Sequence, residues 1–175
     1  MADVPEVWLR GPLAGIPPPL QPVAHSLLQS REELHATLNG LSSDDLWATP
    51  SGAASIGFHA RHAAGSLDRL FSYARGEQLT AAQRAALAGE GAPDVRPRMV
   101  AVLLAEFDSV IDRALEQLKT TDEKTLLEFR GVGRAQLPST VIGLLFHAAE
   151  HTQRHLGQIM TTAKILAGHS SGARG

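Results

Sequence analysis

The chain contains no cysteine, which excludes disulfides, thiolate metal ligands and a cysteine nucleophile. It carries little charge of either sign in excess: sixteen Lys and Arg against eighteen Asp and Glu leave a net charge of -2, too little positive charge to argue for a nucleic-acid partner. No apolar run is long enough to span a bilayer, and the N-terminus lacks the basic-plus-apolar pattern of a leader. A cytoplasmic location without a membrane partner is therefore the expectation. No Ser-His-Asp signature and no phosphate-binding glycine loop appears; Gly131 and Gly133 read as turn residues. No internal repeat is present. What remains is an ordinary globular composition, 43% hydrophobic and 19% charged over 175 residues, enough for one domain with a full core.

The chain divides into three parts. Residues 1–19, with Pro17-Pro18-Pro19 at their end, read as an extended arm whose Trp8 and Leu9 pack on the same chain or on a second copy, which makes a homodimer one expectation. Residues 20–168 hold the fold, and 169–175 read as a flexible tail. Within the fold, Leu27, Leu28, Leu34, Leu38 and Leu41 mark a first helix over Leu20–Leu41. Ser42 to Asp45 form a turn and cap cluster, and Trp47 falls in the following loop. Ser55 is the expected N-cap of a second helix reaching Ala74, with Ala60, Ala63, Ala64, Leu67, Leu70, Phe71 and Ala74 on its apolar face. Thr80 and Gln83 form a capping-box pattern for a short helix over 81–88. Asp94 and Pro97 suit the start of a third helix, whose stripe runs from Val100 through Phe107 and Ile111 to Leu118. A small hairpin is predicted near 126–137, and a fourth helix opens near Ser139. Four substantial helices with at most one hairpin predict an all-α fold, a four-helix bundle. The long stretch between the third and fourth helices permits a crossover, so up-and-down connectivity does not follow.

The most informative segment is His147-Ala-Ala-Glu-His151-Thr-Gln-Arg-His155-Leu-Gly-Gln158. On a helix, side chains four apart share a face, so neighbouring imidazoles can reach one ion. The stripe Val141, Leu144, Ala148 continues through His151 and His155 to Ile159. These histidines therefore interrupt a core face, where an unpaired imidazole costs a few kcal/mol. Two such nitrogens plus one from elsewhere make an open metal site of the catalytic type; the competing reading is a set of satisfied core histidines. The second helix offers His59, nearer its apolar centre, and His62, on its flank; His25 can also point inward. His35 and His169 read as solvated. Glu150, Arg154, Arg61, Asp68 and Arg69 read as surface charges, with Asp68 able to hydrogen-bond a ligand histidine. Gln158 either orients a ligand or packs on another helix.

The motifs Ser55-Ile-Gly-Phe-His-Ala-Arg-His62 and His151-Thr-Gln-Arg-His155-Leu-Gly-Gln158-Ile resemble those of the DinB/YfiT-like metalloenzyme family, over roughly residues 20–167. The resemblance implies a four-helix bundle of unusual connectivity and a zinc or nickel ion held by His62, His151 and His155. It makes His59, His147 and Gln158 groups that support the ligands or face a substrate. It also implies a metal-dependent enzyme acting on a small-molecule substrate, either a hydrolase or an S-transferase that uses a low-molecular-weight thiol such as bacillithiol or mycothiol. A bundle that binds metal or a small ligand without catalysis is the alternative, and a purely structural module is the third.

Overall fold

All four amphipathic stripes fold as long helices. The structure, a computed structural model, describes residues 4–94 and 98–172, the last four as helix backbone alone. Along the chain lie α1 (Gln21–Leu38), α2 (Ser43–Trp47), α3 (Ile56–Ala74), α4 (Ala81–Gly89), α5 (Met99–Thr120), the strands β1 (Phe129–Val132) and β2 (Leu137–Thr140), and α6 (Val141–Gly172), with short 3-10 turns at Val7–Arg10, Pro18–Leu20, Pro50–Gly52 and Glu123–Thr125. The molecule is mostly helical with one small antiparallel hairpin, in which Phe129 pairs with Thr140 and Val132 with Leu137. Among the described residues no helix is long and apolar enough to cross a membrane.

The helix starts follow local chemistry. The Ser55 hydroxyl accepts from the Phe58 amide at 3.2 Å, and Thr80 and Gln83 close the capping box that begins α4. Several boundaries differ from expectation. Ser42 and Asp45 also form a capping box, so the cluster starts a helix and Trp47 ends that helix instead of lying in a loop. The first helix stops at Leu38, short of Leu41, and Gly40 turns the chain with a φ of 84°. The third helix begins at Met99 and not near Asp94. Asp94 is occupied otherwise: its carbonyl accepts from Trp47 Nε1 at 2.7 Å and its carboxylate pairs with Arg61 at 3.1 Å. Pro97 lies outside the described residues. The hairpin sits a few residues later than 126–137, and the last helix runs past Gly168 to Gly172, so the expected tail is helical over its first residues. Residues 173–175 and the side chain of His169 lie outside the described part.

The N-terminal segment is not extended. From residue 4 onward it folds back over α1: the Val7 amide donates to Gln29, Arg10 pairs with Glu32 at 2.6 Å, and His25 Nε2 lies 3.0 Å from the Gly11 carbonyl oxygen. Val7 and Ile16 are the residues that enter the core, while Trp8 and Leu9 stay exposed. His25 thus holds the arm and does not reach the other histidines.

The four long helices pack α3 on α6 and α5, and α1 on the same two partners. Helices adjacent in sequence, α1 with α3 and α5 with α6, therefore face across the assembly, which is the crossover that the long connection permits. The hairpin carries the second crossing. Its base is tied to α6 by Val141 N–H to Glu128 and Ile142 N–H to Leu126, and Arg130 Nε donates to the Ala74 carbonyl at the end of α3. The core is made of Leu20, Leu27, Leu34, Leu38, Leu67, Phe107, Ile111, Leu118 and Leu145, all essentially inaccessible, each contributing roughly 1.5–3 kcal/mol by burial.

Close approach explains Gly57 at the start of α3. A Cβ there would meet the Trp47 ring at 2.8 Å. Gly57→Ala is expected to lower stability by about 1–3 kcal/mol through overpacking. Gly157→Ala, on an exposed face of α6 where a Cβ meets nothing within 4 Å, is expected to raise it by about 0.5–1 kcal/mol by removing backbone freedom. Urea midpoints of the two variants check the contrast; equal shifts of one sign would contradict it.

Candidate metal centre

Helices α3 and α6 make the principal helix–helix contact of the molecule, and four histidines lie in it. On α6 the inward stripe Val141, Leu144 and Ala148 carries on through His155 and Ile159, all buried, with His151 half-buried. On α3, His59 is buried at 7% exposure and His62 lies on the flank, its side chain 23% exposed. Periodicity thus ranks their depth as found. Depth does not decide which nitrogen meets which.

The nitrogens that converge are Nε2 of His62, His151 and His155. His151 Nε2 lies 3.1 Å from His62 Nε2 and 3.2 Å from His155 Nε2. Ligand atoms of the three residues all fall within 4.8 Å of one another. The rings are inclined to each other by 62–74°, as blades around a common point. Imidazole nitrogens on a tetrahedral ion with bonds of about 2.0–2.1 Å are separated by about 3.3 Å, so the spacing suits a single ion. His59 stands outside this trio: its Nδ1 is 2.9 Å from His155 Nδ1, the nitrogen on the far side of that ring.

Proton accounting favours a cation as well. His62 Nδ1 lies 2.7 Å from Glu90 Oε2, and a carboxylate only accepts, so Nδ1 carries a proton and the neutral ring keeps its lone pair on Nε2. His155 presents its Nε2 lone pair when its Nδ1–H donates to His59. One proton on His151 Nε2 cannot serve both neighbours well. His151 Nδ1 is buried without a hydrogen-bond partner among the described residues whichever tautomer the ring takes. A cation satisfies all three Nε2 atoms at once, and an all-imidazole donor set suits zinc or nickel over magnesium or calcium.

The surroundings disfavour the charged form of His155, His59 and His151. Burial, reinforced by the neighbouring imidazoles of His62, His151 and His59, pushes His155 down to about 4. Burial followed by His62 lowers His59, and burial followed by His62 and His147 lowers His151. Phe58 stacks on His62 at a centroid distance of 5.5 Å and meets His59 edge-on. At the outer end, His147 is exposed, its ring 5.4 Å from that of His151, and its Nδ1 donates to Glu150, which also accepts from Arg154. Gln158 is exposed, and among the described residues no hydrogen bond ties it to the histidines.

Two charges read as surface groups behave otherwise. Arg69 is buried at 8% exposure and pairs with Glu90 at 2.6 Å. Arg61 lies over the Trp47 ring at 4.8 Å and donates to the Ala92 carbonyl. Asp68 bonds Gln83 and Arg113 and no histidine. The carboxylate that meets one of the three converging histidines is Glu90, which sequence reasoning missed because it lies in an irregular break. The available signal was a single acid between two glycines, Gly89 and Gly91, just past the short helix. His35, exposed as expected, pairs with Asp108.

A family model of the DinB superfamily matches residues 8–159. The crystal structure of a conserved protein from Enterococcus faecalis is similar, with a TM-score of 0.69 at 18% identity, covering 85% of this chain and 97% of that chain; at that identity the likeness is one of fold. No curated protein matches the chain.

The lowered histidines set a pH dependence. Their folded-state values lie below the unfolded value near 6.5, so between the two the unfolded chain binds more protons and stability falls as pH falls. The metal-free protein is expected to lose stability as pH drops from about 6.5 towards 4, and His155→Gln is expected to flatten that loss. Urea midpoints at pH 7.5, 6 and 5 check it; a stability constant or rising over that window would contradict the assignment.

Proposed function

The chain belongs to the DinB superfamily, and on that premise we propose that it is a divalent-transition-metal enzyme of the DinB/YfiT-like type. In this reading α1, α3, α5 and α6 form the family's four-helix bundle and His62, His151 and His155 hold zinc or nickel. The observation that carries it is the convergence of three Nε2 atoms, at 3.1 and 3.2 Å along its two closest edges. Bound there, the metal supplies a Lewis acid that makes water or a small thiol more acidic and leaves at least one position for a substrate atom.

The chain's own residues do the rest. Glu90 and His59 hold the outer nitrogens of His62 and His155, orienting both rings as acceptor-bearing neighbours do around metal ligands. Phe58 and the apolar α3–α6 interface exclude water from the inner side. His62 and His151 leave the site partly open on the other, where His147 and Glu150 stand ready to hold or pass a proton. A small-molecule substrate would approach from this side, and the lack of cysteine means that any thiol nucleophile arrives as a small molecule. S-transfer from a low-molecular-weight thiol and hydrolysis are the two reactions this arrangement supports.

A metal-holding bundle without catalysis is the second reading. It draws on the 360 Å³ cavity between α3, α4 and α5, which Glu90 lines but none of the three imidazoles does. Adding a small thiol to the nickel- or cobalt-loaded protein separates the readings: a new sulfur-to-metal charge-transfer band supports a thiol enzyme, and its absence together with absent hydrolysis of model esters supports the second.

Elemental analysis of protein purified without a histidine tag tests the site. About one equivalent of zinc or nickel is expected, abolished in His151→Ala and His155→Ala and reduced more by His62→Ala than by His59→Ala. Metal lost in His59→Ala but retained in His62→Ala would overturn the ligand set, and a metal-free wild type after metal-replete growth would remove the enzyme reading. A homodimer is the assembly we propose, on Trp8 and Leu9 at 61% and 57% exposure; light scattering at working concentration should return twice the 18.6 kDa chain mass, and a monomer mass would reject it.

A further inference from the structure

The three imidazoles are not placed by α3 and α6 alone. Glu90, at the C-terminal end of α4, is 5% exposed, a rare depth for a carboxylate unless it is fully paired. Each of its oxygens has one partner: Oε2 faces His62 Nδ1 at 2.7 Å, and Oε1 accepts from Arg69 Nη1 at 2.6 Å. Both partners are on α3, on either side of Gly65. A Cβ at Gly65 would collide with Glu90 Oε1 and come within 2.7 Å of Arg69 Nη1. The absence of a side chain at Gly65 is therefore what lets the carboxylate pass across α3 to the histidine.

We propose that Glu90 is the positioning residue of the histidine site, fixing His62 as the Nδ1–H tautomer, with Arg69 and the bare Gly65 holding Glu90 in place. The inference rests on the proposed metal site for its consequence, not for its content. A neutral imidazole has one proton, and in the alternative tautomer that proton sits on Nε2, the nitrogen that faces His151 and His155. Only an acceptor at Nδ1 keeps Nε2 free. A carboxylate, having two acceptor oxygens and no proton, serves Arg69 and His62 together. The Arg69 guanidinium meanwhile offsets the Glu90 charge, so the pair orients the ring without adding net charge beside the site.

Glutamine has the same shape but one acceptor and one donor. In Glu90→Gln the carbonyl is claimed by the charged Arg69, and the amide N–H₂ then faces His62 Nδ1. His62 must accept there and protonate Nε2. The substitution thus blocks the converging nitrogen without touching a histidine or opening a cavity. A purely structural role for Glu90 predicts no such change of tautomer.

Two measurements test this. Long-range proton–nitrogen correlation spectra of the ¹⁵N-labelled, metal-free protein report which nitrogen of His62 is protonated: Nδ1 is expected in the wild type and Nε2 in Glu90→Gln. Competition with a chromophoric chelator is expected to show zinc binding weakened about 10–100-fold in Glu90→Gln, and weakened also in Gly65→Ala, which crowds the carboxylate while leaving every hydrogen-bonding group present. A wild-type His62 protonated on Nε2 would overturn the proposal whatever the variants do, as would a tautomer and zinc affinity unchanged in Glu90→Gln. If the wild type binds no zinc, the proposed metal function fails, while the tautomer comparison still decides the role of Glu90.

Discussion

Ligand nitrogens of three imidazoles gathered within 4.8 Å of one another, two of the three pairs at hydrogen-bond distance, are the constraint around which this molecule is arranged. His151 Nε2 is 3.1 and 3.2 Å from its two neighbours, at the most extensive helix contact in the fold. Hydrophobic burial could have closed that contact with leucine. The interruption of the α6 stripe by His151 and His155, opposite His59 and His62, gives up apolar burial for a polar cluster that is costly unless something positive sits among the nitrogens. Burial also lowers His155 to about 4, so that ring does not meet the need by taking up a proton at neutral pH. That ring remains neutral and available to an ion.

The layer outside the rings is organised by the same need. His62 and His155 each have an outer nitrogen engaged, by Glu90 and His59 respectively. Glu90 in turn is held by Arg69 and admitted by Gly65. Trp47, packed against Gly57 and hydrogen-bonded to Asp94, together with the Arg61 guanidinium over its ring, pins the chain just after Glu90 to the start of α3. Elements that look peripheral in the chain, the short helices α2 and α4 and the break between α4 and α5, thereby converge on one face of α3.

Much of this was legible in the sequence. The long helices follow from 3.6-residue stripes, and the caps at Ser55 and Thr80 from side chains able to accept the first free amides. The inward aim of His151 and His155 follows from their register with Leu144, Ala148 and Ile159. Periodicity also ranked His59 as deeper than His62, correctly, yet depth is a property of one helix, whereas convergence depends on the relative rotation of two. Only the motif resemblance pointed to His62. Glu90 was illegible because irregular backbone has no period to read, and Arg69 because a charge on an apolar face reads as solvated until its partner is known. The start of α5 and the helical nature of α2 were missed for related reasons: Asp94 looks like a helix cap but is spent on Trp47 and Arg61, and Trp47 looks like a loop residue but completes a capped turn.

The central claim, that His62, His151 and His155 surround one metal ion through their Nε2 atoms, is tested most directly by anomalous diffraction from crystals of the metal-loaded protein at the absorption edge of the bound element. The account predicts a single peak between α3 and α6, about 2.0–2.2 Å from each of the three Nε2 atoms, with His59 outside bonding distance. A peak bonded to His59 in place of His62, or no peak at this position in crystals grown with excess zinc or nickel, would contradict it.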